Sequence, residues 1–119
     1  MNLRKVGATA EREAEAYLVR KGAEILDRNV RLGHGEIDLV ANMGGVILFV
    51  EVKARSSDRF GTPAEAVHRE KRRRILSAAN CYMGMHGLTD SPIRFDIIER
   101  TDGKIRHIEG AFDATGEGF

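Results

Sequence analysis

The segment Gly35-Glu36-Ile37-Asp38-Leu39-Val40, the turn residues Asn42-Met43-Gly44-Gly45 and the run Val46-Ile47-Leu48-Phe49-Val50-Glu51-Val52-Lys53 decide how this chain folds. From Val46 to Val50 the sequence is wholly apolar and rich in β-branched residues, the pattern of a strand covered on both faces. The glycine-bearing turn joins it to the first segment as a hairpin. With a symmetric, even-membered turn, Ala41 faces Val46, Asp38 faces Phe49 and Glu36 faces Glu51. Asp38 and Glu51 then lie diagonally on one face, roughly 7–8 Å apart at the backbone. Lys53 returns to the same side about 7 Å further along. An odd-membered turn or a bulge would turn Asp38 to the opposite face, because a one-residue slip inverts every side chain.

Charged groups set into core strands need a reason. A carboxylate or ammonium that loses its water costs several kcal/mol unless it gains a partner or a metal. Two carboxylates this close repel, and the pKa of one rises unless a divalent cation holds both. Mg²⁺ takes hard oxygen ligands and often only one or two protein carboxylates, which suits Asp38 and Glu51 with a backbone carbonyl such as that of Val52. Such an ion polarises a phosphodiester and lowers the pKa of water. Lys53 could orient that water or stabilise charge building on phosphate oxygens. The pattern therefore points to a metal-dependent site for cutting nucleic acid. The competing structural reading is a Glu51–Lys53 pair at a strand end, with Asp38 capping a nearby turn.

Asp38, a gap of twelve residues and then Glu51-Val52-Lys53 resemble the active-site signature of the PD-(D/E)XK nuclease superfamily, which includes restriction endonucleases and archaeal Holliday junction resolvases. More closely, Gly35-Glu36-Ile37-Asp38-Leu39 with Phe49-Val50-Glu51-Val52-Lys53 and Arg55, preceded by Gly7, Glu11, Ala14, Tyr17-Leu18, Gly22 and Asn29, is similar to the bacterial YraN family. That family is described as endonucleases by likeness to the superfamily. The similarity continues through Lys71, Ala78, Tyr82 and Arg94-Phe95-Asp96, leaving out only about the last ten residues.

The resemblance implies Asp38 and Glu51 as metal ligands, Lys53 as the catalytic lysine, Mg²⁺ or Mn²⁺ as cofactor and DNA as the nucleic-acid partner. In resolvase-like members a glutamate on the first helix also approaches the metal, and Glu11 matches it. Helical phase agrees in part: Ala14, Tyr17, Leu18 and Lys21 mark an inward stripe, and Glu11 lies at its edge. Glu11 is otherwise an ordinary first-turn acid complementing the helix dipole. Glu36, placed opposite Glu51 in the expected register, is a further candidate or a cap for the loop entering its strand. Resolvase-like relatives work as dimers, so a homodimer is implied as well, although no dimer face stands out in the sequence.

At 119 residues the chain is expected to form one domain, residues 1–110, that buries about two-thirds of its unfolded surface. The tail after Ile108 carries three glycines and shows no core pattern, so 111–119 is expected to be disordered. With no signal peptide, lipidation motif or long apolar run, a cytoplasmic location is expected. The lone Cys81 excludes an internal disulfide, fits a reducing compartment and reads as a small buried hydrophobe on a helix. His34, His68, His86 and His107 lack metal-ligand spacing, and His34 in Gly33-His34-Gly35 reads first as a turn residue and second as a site residue.

A net charge of +1 gives the whole molecule little attraction for nucleic acid, so local charge matters more. His68-Arg69-Glu70-Lys71-Arg72-Arg73-Arg74 places five basic residues within seven on a helix expected from Pro63 to Met85. Ala64, Val67, Lys71, Ile75, Ala78 and Tyr82 form one helical stripe, which puts Lys71 on the core-facing side. An acidic site at the helix mouth would partner it, while a lysine that merely snorkels is the alternative. Arg69, Arg72 and Arg73 are expected outside, with Arg55, to contact phosphates.

The elements expected are helix 8–21, strands 24–31, 36–41 and 46–53, helix 63–85, and strands 93–99 and 104–109. The polar loop 55–62, next to Lys53, suits substrate positioning. Together these make an α/β restriction endonuclease-like three-layer fold, a central mixed β-sheet flanked by helices. Two other functions remain open on sequence: a nucleic-acid-binding protein that keeps the fold without cutting, and a scaffold whose carboxylates are structural.

Overall fold

The register of the central hairpin positions everything near the charged residues, and it is set by two glycines. In the computed structural model, which describes residues 3–55 and 69–113 with side chains of the first helix from residue 8 onward, β2 (Gly35–Met43) and β3 (Val46–Arg55) are joined by Gly44 and Gly45 alone. Their φ values of 60° and 93° suit a two-residue hairpin loop whose central positions both need the left-handed region. Asn42 stays in the strand and its Oδ1 accepts from the Gly45 amide at 2.9 Å. The expected pairing of Ala41 with Val46 is corrected: Met43 faces Val46 and Ala41 faces Leu48. The slip is two residues, so side chains along the paired stretch keep their expected faces, while strict alternation breaks between Ile37 and Leu39, since Ile37 and Val40 join the same core.

The other elements are α1 (Leu3–Arg20), β1 (Glu24–Leu32), α2 (Arg69–Met85), β4 (Ile93–Thr101) and β5 (Lys104–Phe112). The sheet runs in sequence order, β1 to β5. All neighbours are antiparallel except β3 and β4, which are parallel and separated in sequence by α2, as a parallel pair requires a crossover. Along β3, Ile47 and Phe49 join a core under α2 with Ile75, Ala78, Tyr82, Phe95 and Ile97. Leu48 and Val50 join a second core under α1 with Ala14, Leu18, Leu39 and Ile98. A mixed sheet covered by one helix on each face is the three-layer α/β arrangement expected. Among the described residues no helix is long and apolar enough to cross a membrane. The expected helix start at Pro63, with Ala64, Val67 and most of the loop after Arg55, lies outside the described residues.

Three expectations change. The tail does not leave the core at Ile108: β5 continues to Phe112, and Ala111 and Phe112 are buried. An irregularity in the β4–β5 register between Phe95 and Ile97 breaks the alternation that would have flagged them. Phe112 stacks on Phe95 with centroids 4.9 Å apart. Cys81 is exposed, because the inward stripe of α2 is Ile75, Ala78, Ala79, Tyr82 and Met83. Arg72 is buried; it lies three and seven residues before Ile75 and Ala79, and its guanidinium sits over the Phe112 ring at 5.5 Å.

Buried Asp96 ties α1 and β5 to the sheet. It receives Arg94 Nε and Nη2 at 2.8 Å each, pairs with His107 Nε2 at 2.7 Å and accepts the Gly110 amide at 3.0 Å. The other His107 ring nitrogen meets the Tyr17 hydroxyl of α1 at 3.0 Å.

On the opposite face, α2 meets the start of β2 at Gly35. A Cβ there would stand 2.0 Å from the Arg74 carbonyl oxygen, a backbone atom with no rotamer to move aside. The contact seats α2, and with it Lys71, against the hairpin. Gly35→Ala should therefore destabilise the protein by about 3 kcal/mol, the upper end for overpacking. Gly84→Ala, on α2 with open space around it, should instead stabilise by roughly 0.5 kcal/mol. Urea unfolding of both variants checks the pair; equal midpoints would contradict the seating role of Gly35.

Candidate active site

The candidate site lies where β2 and β3 part. Their last ladder pair is Leu39 with Val50, and beyond it the Val52 amide donates to Asp38 Oδ2 at 2.8 Å. A side-chain carboxylate takes a strand amide just where the regular ladder stops. Extending the register one step sets Asp38 across from Glu51, instead of the expected diagonal with Asp38 facing Phe49. Glu36, expected opposite Glu51, pairs in the ladder with Arg31 of β1, and their side chains approach to 3.7 Å.

Two ammonium groups converge on Glu51, which is only 7% exposed. Lys71 Nζ lies 2.8 Å from Glu51 Oε1 and Lys53 Nζ lies 4.0 Å from the same oxygen. The helical stripe thus delivers Lys71 to an acidic partner, as its phase implies. Burial works against the Lys71 ammonium, but the carboxylates of Glu51 and Asp38 hold its pKa above that of ordinary lysine. Burial, and then Lys71 beside it, lower the pKa of Lys53 despite the pull of Glu51 and Asp38.

Asp38 bears the electrostatic strain of this cluster. Burial first, then the charge of Glu51, push its carboxyl up from 3.8 to about 8, with Glu11 adding to the rise and the Val52 amide and Lys71 opposing it. Asp96 shows that burial alone does not do this. Burial raises it too, yet His107, Arg94 and the Gly110 amide outweigh that and hold it below the usual value. Asp38 is a half-buried aspartate whose neighbours leave its charge undersupported, the kind of perturbation that functional sites concentrate.

Glu11 reaches the same cluster from α1. Burial, then Glu36, raise its pKa, Glu51 adds to this, and a hydrogen bond from Asn29 opposes it. Asn29 carries φ 50° within β1 and was not foreseen as part of the site. An asparagine inside a strand, tolerant of the left-handed region, was the available signal. A cavity of about 580 Å³ opens between the hairpin and α2, with Asp38, Glu51 and Lys71 inside and Arg31, His34 and Arg74 among its walls. His34 is thus both a turn residue and a cavity residue; Arg74 was read only as part of the basic cluster of α2, and Arg31 was not singled out in the sequence.

The expected phosphate contacts divide. Arg69 and Arg73 are exposed on α2. Arg72 is withdrawn into the core, as described, and Arg55 lies 3.2 Å from buried Glu99 on the neighbouring strand. Val52 enters the site through its amide, which Asp38 accepts. Among the described residues no group of three or more carboxylate, imidazole or thiolate side chains is arranged to hold a metal ion, so the Asp38–Glu51 pair would need backbone oxygen or water to complete a coordination shell.

The sign of the Asp38 shift has a measurable consequence. Folding raises its pKa, so the stability it contributes is fully present below 3.8 and lost as the pH climbs through about 8. In chelator-containing buffer, Asp38→Asn should match wild type in Tm at the acid end of this window and exceed it increasingly towards the alkaline end. Thermal melts at a series of pH values check this, and a pH-independent gap would contradict it.

A family model described as "Uncharacterised protein family UPF0102" matches residues 10–99, a span that holds Glu11, Asp38, Glu51, Lys53 and Lys71. The chain is 46% identical over 114 residues to a UPF0102 protein of Clostridioides difficile (strain 630), covering 94% of this chain and 100% of that one. It is 45% identical over 116 residues to one from Symbiobacterium thermophilum, covering 93% and 98%. A third, from Moorella thermoacetica, is 43% identical over 119 residues, covering 94% and 98%. With nearly end-to-end matches at this identity, and with the whole cluster inside the matched span, this chain belongs to the UPF0102 family, the YraN-like family that its sequence resembles.

Proposed function

We propose that the protein is a metal-dependent endonuclease of the PD-(D/E)XK type that hydrolyses DNA phosphodiester bonds. The observation that carries this reading is the meeting of Asp38 and Glu51 at the parting of β2 and β3, with Lys53 beside them. An undersupported Asp38 beside a second carboxylate fits a hard divalent cation, Mg²⁺ or Mn²⁺, which Asp38, Glu51 and the Val52 carbonyl would hold with water filling the remaining positions. When bound, such an ion supplies Lewis-acid polarisation of the phosphate and a more acidic attacking water.

The chain's own groups do the rest. Lys53, half-buried and with a lowered pKa, holds its ammonium where charge accumulates on the phosphate oxygens or gives up a proton more readily than an ordinary lysine. Glu11 adds a third carboxylate that helps orient water. Lys71 and Arg74 present positive charge at the cavity, exposed Arg69 and Arg73 add to it on α2, and together they make DNA binding salt-dependent. Arg72 takes no part in this surface, and Arg55 acts through Glu99 to brace the strand that carries Lys53.

Strand breaks in branched, single-stranded and duplex DNA should require Mg²⁺ or Mn²⁺. Lys53→Ala should lower the rate on the order of 10²–10³-fold, and Asp38→Asn and Glu51→Gln should abolish it while leaving DNA binding. Gel cleavage assays with each variant test the reading. Salt-dependent binding with no cleavage of any substrate would make the protein a non-catalytic nucleic-acid binder, and no binding at any salt concentration would leave a scaffold with structural carboxylates.

A further inference from the structure

We infer that Lys71 is a movable counter-ion, bonded to Glu51 until a divalent cation claims that carboxylate and then released into the cavity to bind a phosphate of the substrate. The inference rests on the proposed metal site and goes beyond it by coupling two binding events through one side chain.

The geometry brings both lysines to a single oxygen. Glu51 Oε1 lies 2.8 Å from Lys71 Nζ and 4.0 Å from Lys53 Nζ, and Glu51 is nearly buried. A cation bridging Asp38 and Glu51 would need an oxygen of this same carboxylate, adding two positive charges beside two ammonium groups in a poorly hydrated place. One ammonium must give way. Lys53 is carried by β3, close to the carboxylates and paired backbone to backbone with Glu99 of β4. Lys71 has more room: its side chain is 37% exposed against 28% for Lys53, and it lines the cavity of about 580 Å³ alongside Glu51, whereas Lys53 does not.

The helix beneath Lys71 stays put. Ile75, Ala78 and Tyr82 bury the same face of α2, and the Gly35–Arg74 contact fixes its approach to the hairpin. Release therefore moves a flexible side chain and no backbone. Arg74, whose Nη2 pairs with exposed Glu70 at 2.8 Å, lies one turn further along and lines the same cavity, so a displaced Lys71 ammonium would face an anion there beside the Arg74 guanidinium. A phosphodiester is the anion that the proposed reaction brings.

Linkage then requires reciprocity. The cation frees Lys71 for phosphate and phosphate draws Lys71 from Glu51, so each ligand tightens the other by the same factor. The test is Mn²⁺ affinity, read by the electron paramagnetic resonance of free Mn²⁺, for wild type, Lys71→Met and Lys53→Met, with and without a short duplex oligonucleotide. Methionine keeps an unbranched stem over the site, and thermal melts confirm that each variant folds.

Lys71→Met should bind Mn²⁺ about five- to tenfold more tightly than wild type without DNA, and more tightly than Lys53→Met. The oligonucleotide should tighten Mn²⁺ binding in wild type and lose that effect in Lys71→Met. Silence in wild type with binding in Lys71→Met would also support the inference, as complete competition. Unchanged or weaker affinity in Lys71→Met, or equal tightening by DNA in both proteins, would overturn it while leaving the metal site intact. Absence of Mn²⁺ binding in all three proteins would overturn the metal site and the inference together.

Discussion

The constraint on which the rest of this structure depends is the parting of β2 and β3 after the Leu39–Val50 pair. Strand amides near a core must be bonded, and at this point the acceptor for Val52 is the carboxylate of Asp38. That bond places an acid at the sheet opening, half-buried and within reach of the Glu51 charge. Around it the fold supplies one more side chain from each neighbouring layer, Glu11 from α1 and Lys71 from α2. The Gly44-Gly45 turn fixes the register from one end and the Gly35–Arg74 contact fixes the helix from the other.

Buried Asp96 and half-buried Asp38 show how differently the same protein treats a charge. Asp96 is enclosed by a guanidinium, an imidazole and an amide, and it serves to lock α1 and β5 onto the sheet. Asp38 accepts the Val52 amide, lies within reach of the Glu51 charge and is driven towards its neutral form. A structural carboxylate gains nothing from that arrangement, because the folded state bears its cost over much of the neutral range. A carboxylate that waits for a cation does gain, since the ion converts repulsion into coordination.

Much of this was legible in the sequence because it rests on parity and phase. The turn was read two residues too long, yet an even slip preserves faces along the paired stretch, and Lys53 approaches Glu51 two residues before it. Helical phase brought Lys71 inward to meet an acid. What sequence could not supply were contacts between distant segments. Arg72 is buried because Phe112, forty residues later, offers its ring; Phe112 was hidden by the register shift beside Gly110; and Gly35 reads as a turn residue until Arg74 is seen against it. Cys81 was misplaced for a different reason: the inward arc of α2 is centred on Ala78, Ala79 and Tyr82, which turns position 81 to solvent.

The central claim is that Asp38 and Glu51 form a cradle for a divalent ion, held ready by a lysine that can leave. Anomalous diffraction from crystals equilibrated with Mn²⁺ tests it most directly. The account predicts a peak bounded by Asp38 and Glu51, with the Lys71 ammonium drawn away from Glu51 Oε1. No peak at saturating Mn²⁺, with Lys71 still bonded to Glu51, would contradict it.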